Sequence, residues 1–262
     1  MKVNGQVVVV TGGANGIGKA LCEVFHDAGA AHVVVADIDL ASAQRVAKQI
    51  KGSAVRCDVT SENEISALVT ETESTLGPIA LFCSNAGINV GIQKASDNVA
   101  SAPNELWEKS WQVNVMAHIY AARALIPRMI PRGGGYFLHT VSAAGLLSAI
   151  GAPSYSVTKH AAIGFAESLA ISHKAHGIRV SVLCPQAVDT DLIRGHGPGA
   201  HEIDGVLSPR QVAETSLRGI EKEEFLILPH QEVLAYMRKK TDDYDRWIGG
   251  MAKLRARLAE IH

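Results

Sequence analysis

Apolar residues along this chain are grouped in two ways. Short, mostly unbroken runs (Val7-Val-Val-Val10, Val33-Val-Val-Ala36, Ile79-Ala-Leu-Phe82, Tyr136-Phe-Leu138 and Ile178-Arg-Val-Ser-Val-Leu183) have the character of strands buried on both faces. Two weaker runs, Ala54–Val59 and Phe225–Pro229, extend the set to seven. Between them lie helix-like stretches: Lys19–Ala28, Leu40–Lys51, Ser61–Leu76, Glu105–Met129 and a segment from Pro153 to His176. Gly29 and Gly177 stop two of these in the manner of C-terminal caps. Ser208-Pro-Arg210 opens a further helix by the Ser-cap, Pro-first pattern, and a charged helical tail occupies about 230–262. Strands alternating with helices predict an α/β fold: a doubly wound, seven-stranded parallel sheet flanked by helices, one domain over residues 1–262. Three stretches fall outside the pattern. Ile88–Asn104 is irregular and polar, Ala143-Ala-Gly-Leu-Leu147 reads as a flexible small-residue segment, and Gln186–Leu207 holds four glycines and Pro198. The last suits a substrate lid at about 190–207.

A doubly wound sheet takes its ligand at the carboxyl ends of the strands. The first strand runs into Thr11-Gly-Gly-Ala-Asn-Gly-Ile-Gly18. Gly12, Gly16 and Gly18 there permit a tight turn, close backbone approach to a pyrophosphate and close packing of the next helix, with Asn15 and Ile17 between them. Asp37 ends the second strand nineteen residues after Gly18. It suits an adenosine ribose, the alternative being a helix N-cap or a solvated turn acid. Asp58, with Val59 beside it, either meets an adenine ring or caps the helix that follows. Asn85-Ala86-Gly87 closes the fourth strand in a turn of small residues, where Ser84 and Asn85 either brace the sheet or line a cofactor site. The buried amide expected of Asn114 requires partners, as a structural bridge or as part of a proton relay. Trp107 and Trp111 read as core or subunit-interface packing, with substrate contact as the alternative.

Candidate chemistry centres on Tyr155 and Lys159. Four residues apart on a helix, they share one face. An ammonium group near a phenol favours its ionised form, since a pKa near ~10 is too high for proton transfer at neutral pH. Ser142, at the end of the fifth strand, adds a hydroxyl. The three make a proton-transfer site for an alcohol or a carbonyl group.

In their order and spacing these residues resemble the short-chain dehydrogenase/reductase family over nearly the whole chain. The family's T-G-x-x-x-G-x-G falls on Thr11–Gly18 and its Asn-Ala-Gly turn on Asn85–Gly87. Its catalytic residues fall on Asn114, Ser142, Tyr155 and Lys159, and its proline-led threonine on Pro185 and Thr190. The resemblance implies a Rossmann fold and an oxidoreductase moving a hydride between NAD(H) and a secondary alcohol or ketone. It implies that Tyr155 carries the proton, that Ser142 donates to the substrate oxygen, and that Lys159 holds the nicotinamide ribose. Asn114 is expected to anchor a water, and Thr190, with Pro185 and Val188, to line the nicotinamide. Two departures stand out: Ser84-Asn85 replaces the usual double asparagine, and Pro185-Gln186 the usual Pro-Gly. The alternatives are an NADPH-dependent ketoreductase and a catalytically silent NAD-binding regulator. Ile88, Val90, Ile92, Ala144, Leu146, Val188 and Leu192 form a candidate apolar substrate lining. His196 and His201 are expected to be exposed lid residues.

Composition narrows the remainder. With 47% apolar side chains the chain can bury a substantial core, and a net charge of −1 sets up no field for nucleic acid or an anionic membrane. Cys22, Cys57, Cys83 and Cys184 lack Cys-x-x-Cys spacing, which suits reduced thiols and a cytoplasmic location. The first strand begins too early to leave room for a signal peptide, and no apolar run reaches the length of a membrane span. No metal is expected, because His173 and His176 are explained by the dipole of a helix end. Family members commonly pair through the helices that here carry Asn114 and Tyr155. A homo-oligomer, tetramer or dimer, is therefore expected, with Ala161, Ala162, Phe165 and Leu169 at the contact. In the tail, Gly249-Gly250 is expected to interrupt any long coiled coil.

Overall fold

The Val7–Thr11 strand (β1) is buried along its whole length, and its alternate residues face opposite ways. Val8 and Val10 join a layer with Leu21, Phe25, Val212 and Ile220, whereas Val7 and Val9 join the opposite layer with Leu68, Leu125, Phe137 and Ala166. A sheet with cores on both sides is the consequence. The computed structural model describes residues 1–90, 98–193 and 203–259. In it seven strands lie in the order β3-β2-β1-β4-β5-β6-β7, every pair parallel. Besides β1 they are β2 (His32–Asp37), β3 (Ser53–Arg56), β4 (Ile79–Ser84), β5 (Gly135–Thr140), β6 (Ile178–Leu183) and β7 (Leu226–Ile227). The order reverses between β1 and β4, which opens a crevice above their carboxyl ends.

Helices α1 (Gly16–Asp27), α2 (Leu40–Gln49) and α8 (Pro209–Glu221) cover one face. α3 (Glu62–Leu76), α5 (Ala117–Met129) and α7 (Pro153–His173) cover the other. Ser208 and Gln211 form a complete capping box at the start of α8.

Several expectations are corrected. The third and seventh strands are shorter than read, because both lie at sheet edges with a partner on one side only. The helix expected over 105–129 is α4 (Asn104–Trp111), a π-helical turn over Gln112–Met116, and then α5. Trp111 is 41% exposed and therefore not a core residue. The segment after Ser142 is not flexible: it forms α6 (Ala144–Leu147), and a Cβ on Gly145 would stand 2.7 Å from the Lys159 carbonyl oxygen. Its small residues serve close packing on α7. In the tail, α9 (Glu232–Asp242) and α10 (Tyr244–Ala259) part at the extended residue Asp243, and α10 runs through Gly249-Gly250 without a break. All four cysteines are free and buried. Among the described residues, no helix is long and apolar enough to cross a membrane.

Candidate active site

The crevice is a cavity of about 1030 Å³ running across the ends of β1, β2, β4, β5 and β6. At its β1 edge Gly12 has a φ of +64°, and a Cβ there would lie 2.8 Å from the Ala86 Cα. A Cβ on Gly18 would lie 2.0 Å from the Gly12 carbonyl oxygen. Only glycine lets the turn, α1 and the 85–87 segment close this tightly. Asn15 makes no side-chain cap bond, and no acidic residue occupies the first turn of α1. That helix start keeps its positive end open to the cavity.

Asn85 is a brace. Its Nδ2 donates to the carbonyls of Thr11 (3.1 Å) and Gly12 (3.2 Å), while its Oδ1 accepts from Thr140 Oγ1 (3.0 Å). Thr11 Oγ1 accepts from the Asn85 amide at 3.0 Å. The ends of β1, β4 and β5 are thereby locked together, and Asn85 still lines the cavity. Asp37 accepts from the Ala14 and Asp39 amides, each at 3.0 Å. It does not cap α2; Asp39 does. A carboxylate has about four acceptor positions, so two bonds leave capacity facing the cavity. Asp58 accepts from the Thr60 amide and hydroxyl, and the cap of α3 is Ser61, which removes the capping reading of Asp58.

At the β5 end stand Ser142, Tyr155 and Lys159. Ser142 holds φ at +147°, costly for a residue with a Cβ, and its Oγ contacts the Pro185 carbonyl at 3.5 Å. Lys159 is buried, and its Nζ donates to the Thr140 carbonyl at 3.1 Å. Burial lowers its pKa from 10.5 to about 8. The same burial raises the Tyr155 pKa to about 12, against which a hydrogen bond with Ser142 pulls downward. Lys159 Nζ lies 5.4 Å from the centre of the Tyr155 ring, over its face. The expectation that Lys159 lowers the tyrosine pKa is thus corrected for this state of the site: desolvation dominates, and the opposing group is Ser142.

Asn114 is fully buried in the π turn and does not line the cavity. Its Oδ1 accepts from the Ile88 amide (3.0 Å), and its Nδ2 donates to the Ile88 carbonyl (2.9 Å) and to Thr158 Oγ1 (3.1 Å). The structural-bridge reading describes this amide.

Every other expected site residue lines the cavity: Gly12, Asn15, Gly16, Ile17, Gly18, Asp37, Asp58, Val59, Asn85, Ala86, Gly87, Ser142, Tyr155, Lys159, Pro185, Val188 and Thr190. Of the apolar substrate lining, Ile88, Val188 and Leu192 reach it, whereas Val90, Ala144 and Leu146 do not; Leu146 packs instead under the tail. Ile92, His196 and His201 lie outside the described residues, as does the 194–202 part of the expected lid. His173 and His176 face each other at 5.5 Å between rings, and among the described residues no third His, Cys, Asp or Glu joins them. Sequence reading missed Ile38, Lys109, Gln112, Val113 and Ile193 in the lining and the anchoring carbonyl of Thr140. Thr140 could have been found, since its place two residues before Ser142 puts it at the same strand end.

Sequence and structure comparisons agree. A profile of the short chain dehydrogenase family matches residues 6–199. The 1-deoxy-11-beta-hydroxypentalenate dehydrogenase of Streptomyces exfoliatus is 31% identical over 255 residues, covering 95% of this chain and 91% of that protein. Epidermal retinol dehydrogenase 2 of Homo sapiens is 29% identical over 237 residues, covering 87% and 75%. The crystal structure of a short chain dehydrogenase/reductase from Burkholderia phymatum in complex with NAD superposes with a TM-score of 0.81. It is 26% identical and covers 94% of this chain and 96% of that one. With the glycine turn, the Asn-Ala-Gly turn and the Ser, Tyr and Lys side chains gathered at one crevice, the chain belongs to the short-chain dehydrogenase/reductase family.

Proposed function

We propose that the protein is an NAD-dependent oxidoreductase interconverting a secondary alcohol and its ketone. The observation that carries this is the meeting of Ser142, Tyr155 and Lys159 in one cavity with the glycine turn and Asp37. The residues fit a dinucleotide. The open start of α1 suits a pyrophosphate, and the remaining acceptor positions of Asp37 suit ribose hydroxyls. Among the described residues no ion pair reaches Asp37: Arg56, opposite it in the sheet, pairs with Glu64 (2.8 Å), Lys19 pairs with Glu23 (3.8 Å), and Arg45 lies further along its helix. A 2′-phosphate would meet the Asp37 carboxylate unscreened, which favours NAD over NADP. When bound, the dinucleotide supplies the hydride acceptor or donor.

The chain's own groups handle the proton. Ser142 donates to the substrate oxygen and orients it. Tyr155 takes the carbinol proton during oxidation and returns it during reduction. With its pKa near 12, Tyr155 stands protonated in the empty site, ready as the acid for ketone reduction; for alcohol oxidation its phenolate must be stabilised. Lys159 supplies a nearby ammonium held by the Thr140 carbonyl. Apolar walls at Ile88, Leu192 and Ile193 suit a ring or a chain.

The experiment is NADH formation from NAD⁺ across a panel of steroid, aromatic, aliphatic and sugar alcohols, with Tyr155→Phe alongside the wild type. Turnover by the wild type, reduced at least about a hundredfold in the variant with NADH binding retained, is the expected result. A variant that keeps a tenth of the wild-type activity would move the proton role elsewhere.

A further inference from the structure

Gln186 stands where the family pattern places glycine, directly after Pro185, and is one of the residues that line the cavity. Its backbone N–H donates to His230 Nδ1 at 3.1 Å. His230 is 3% exposed, and acceptance at Nδ1 puts the ring proton on Nε2. Beside it lies Asp204, whose Oδ1 accepts from Tyr236 at 2.9 Å. Gln186 Oε1 and Asp204 Oδ2 are buried without a hydrogen-bond partner among the described residues, whereas the His230 ring is turned toward the Gly205 backbone. An unpaired buried acceptor such as Gln186 Oε1 is costly unless something arrives to use it.

The Gln186 oxygen has no bond to lose where it is, and the terminal torsion of glutamine is soft. Turning the carboxamide toward the cavity costs little, and a donor met there recovers the unmade bond. The position fixes what the donor can be. Ser142, expected at the reacting oxygen, touches the carbonyl of Pro185, the residue just before Gln186. A group reaching Gln186 therefore sits only a few bonds from the reacting carbon. Asp204 makes the neighbourhood unfavourable to an anion, whereas Ile88, Leu192 and Ile193 suit a carbon skeleton.

We propose that Gln186 is the specificity-determining residue of the substrate half, accepting a hydrogen bond from a second hydroxyl near the reacting one, so that the enzyme prefers neutral diols on an apolar skeleton to the matching monohydric alcohols. This rests on the oxidoreductase reading above.

The test measures kcat/KM with NAD⁺ for matched pairs: cyclohexanol against 1,2- and 1,3-cyclohexanediol, and a monohydroxy against a dihydroxy steroid. A 2-hydroxycyclohexane carboxylate serves as the anionic control. Wild type, Gln186→Met and Gln186→Gly are compared, with NADH fluorescence titration reporting an intact site. The diol should be preferred by roughly tenfold or more in the wild type, the carboxylate should be the poorest, and the preference should fall to within about threefold of unity in both variants. A wild-type preference for the monohydric alcohol in every pair, or a diol preference untouched by both substitutions, would overturn the assignment to Gln186. Absence of NADH formation from every compound would instead sink the oxidoreductase reading, and this inference with it. Should neither variant bind NADH, the wild-type ratio alone decides.

Discussion

Replacing Lys159 by methionine is expected to stabilise the fold while abolishing turnover. The ammonium is 2% exposed, and its pKa falls from 10.5 to about 8, a shift equivalent to about 3 kcal/mol against the folded state at neutral pH. Methionine matches the length of the stem but loses the bond to the Thr140 carbonyl, which costs about 1–2 kcal/mol. A net gain of about 1–2 kcal/mol at pH 7 remains. Its sign depends on pH. Below pH 8 both states hold the proton, and the native state bears the whole desolvation cost. Between pH 8 and 10.5 the unfolded chain binds more protons than the native one, so this group's contribution to stability rises with pH and its burden vanishes. Burial raises the thiols of Cys57 and Cys184 to about 12, which erodes stability above pH 9 in both proteins, so the quantity to read is the difference between them. Urea unfolding of wild type and Lys159→Met at pH 7 and pH 10.5 gives it. A variant less stable than wild type at pH 7, with a difference that does not move in its disfavour as pH rises, would refute the desolvation argument.

Gly18→Ala forces a Cβ to 2.0 Å from the Gly12 carbonyl, so the turn must open; NADH affinity is expected to drop at least about tenfold by fluorescence titration, and stability by about 1–3 kcal/mol in urea. An unchanged affinity would separate the turn from the cofactor. Wild-type kcat/KM should favour NAD over NADP by at least about tenfold, and Asp37→Ala should narrow the gap mainly by weakening NAD, since each charge-assisted bond lost is worth about 1.5–3 kcal/mol; equal efficiency in the wild type would remove Asp37 from the ribose. Asn114→Ala strands the Ile88 amide and carbonyl together, for a loss of about 2–3 kcal/mol in urea unfolding. A loss below about 0.5 kcal/mol would show that the bridge is dispensable.

Most of the strands are legible in the sequence because β-branched runs buried on both faces have few other interpretations, whereas their order in the sheet comes from the structure. The glycine turn was legible because spacing and neighbouring elements agreed. What escaped notice has physical causes. The π turn at Gln112–Met116 leaves no signature in composition, since an i→i+5 bond changes the register but not the residues that favour helix. Ala144 and Gly145 read as flexible because small residues serve both mobility and close packing, and only the nearness of the Lys159 backbone distinguishes the two. Gly249-Gly250 suggests a break by composition, yet the chain breaks at the extended Asp243, between α9 and α10, and the glycines lie inside α10. The sequence shows the charge beside Tyr155 but not its burial, and burial has the larger effect on its pKa.

The motif residues of this crevice separate into two groups by what their polar atoms are doing. Thr11, Asn85, Asn114 and Thr140 spend theirs on the protein: both ends of each amide are bonded to backbone or hydroxyl partners, and the threonine hydroxyls join neighbouring strand ends. Removing such a residue breaks the scaffold before it touches any chemistry. Asp37 and the start of α1 retain unused capacity and face the cavity, where Ser142 and Tyr155 bond to each other and are exposed to a substrate that can exchange for that bond. Burying unused capacity is unfavourable unless something arrives to take it up. The distribution of satisfied and unsatisfied groups therefore divides frame from working surface, a division that the motif letters do not make. Gly87 shows how finely the two are fitted: a Cβ there would stand 3.4 Å from both Asn114 Oδ1 and Lys159 Nζ, so a side chain larger than a methyl group would press the frame against the working lysine.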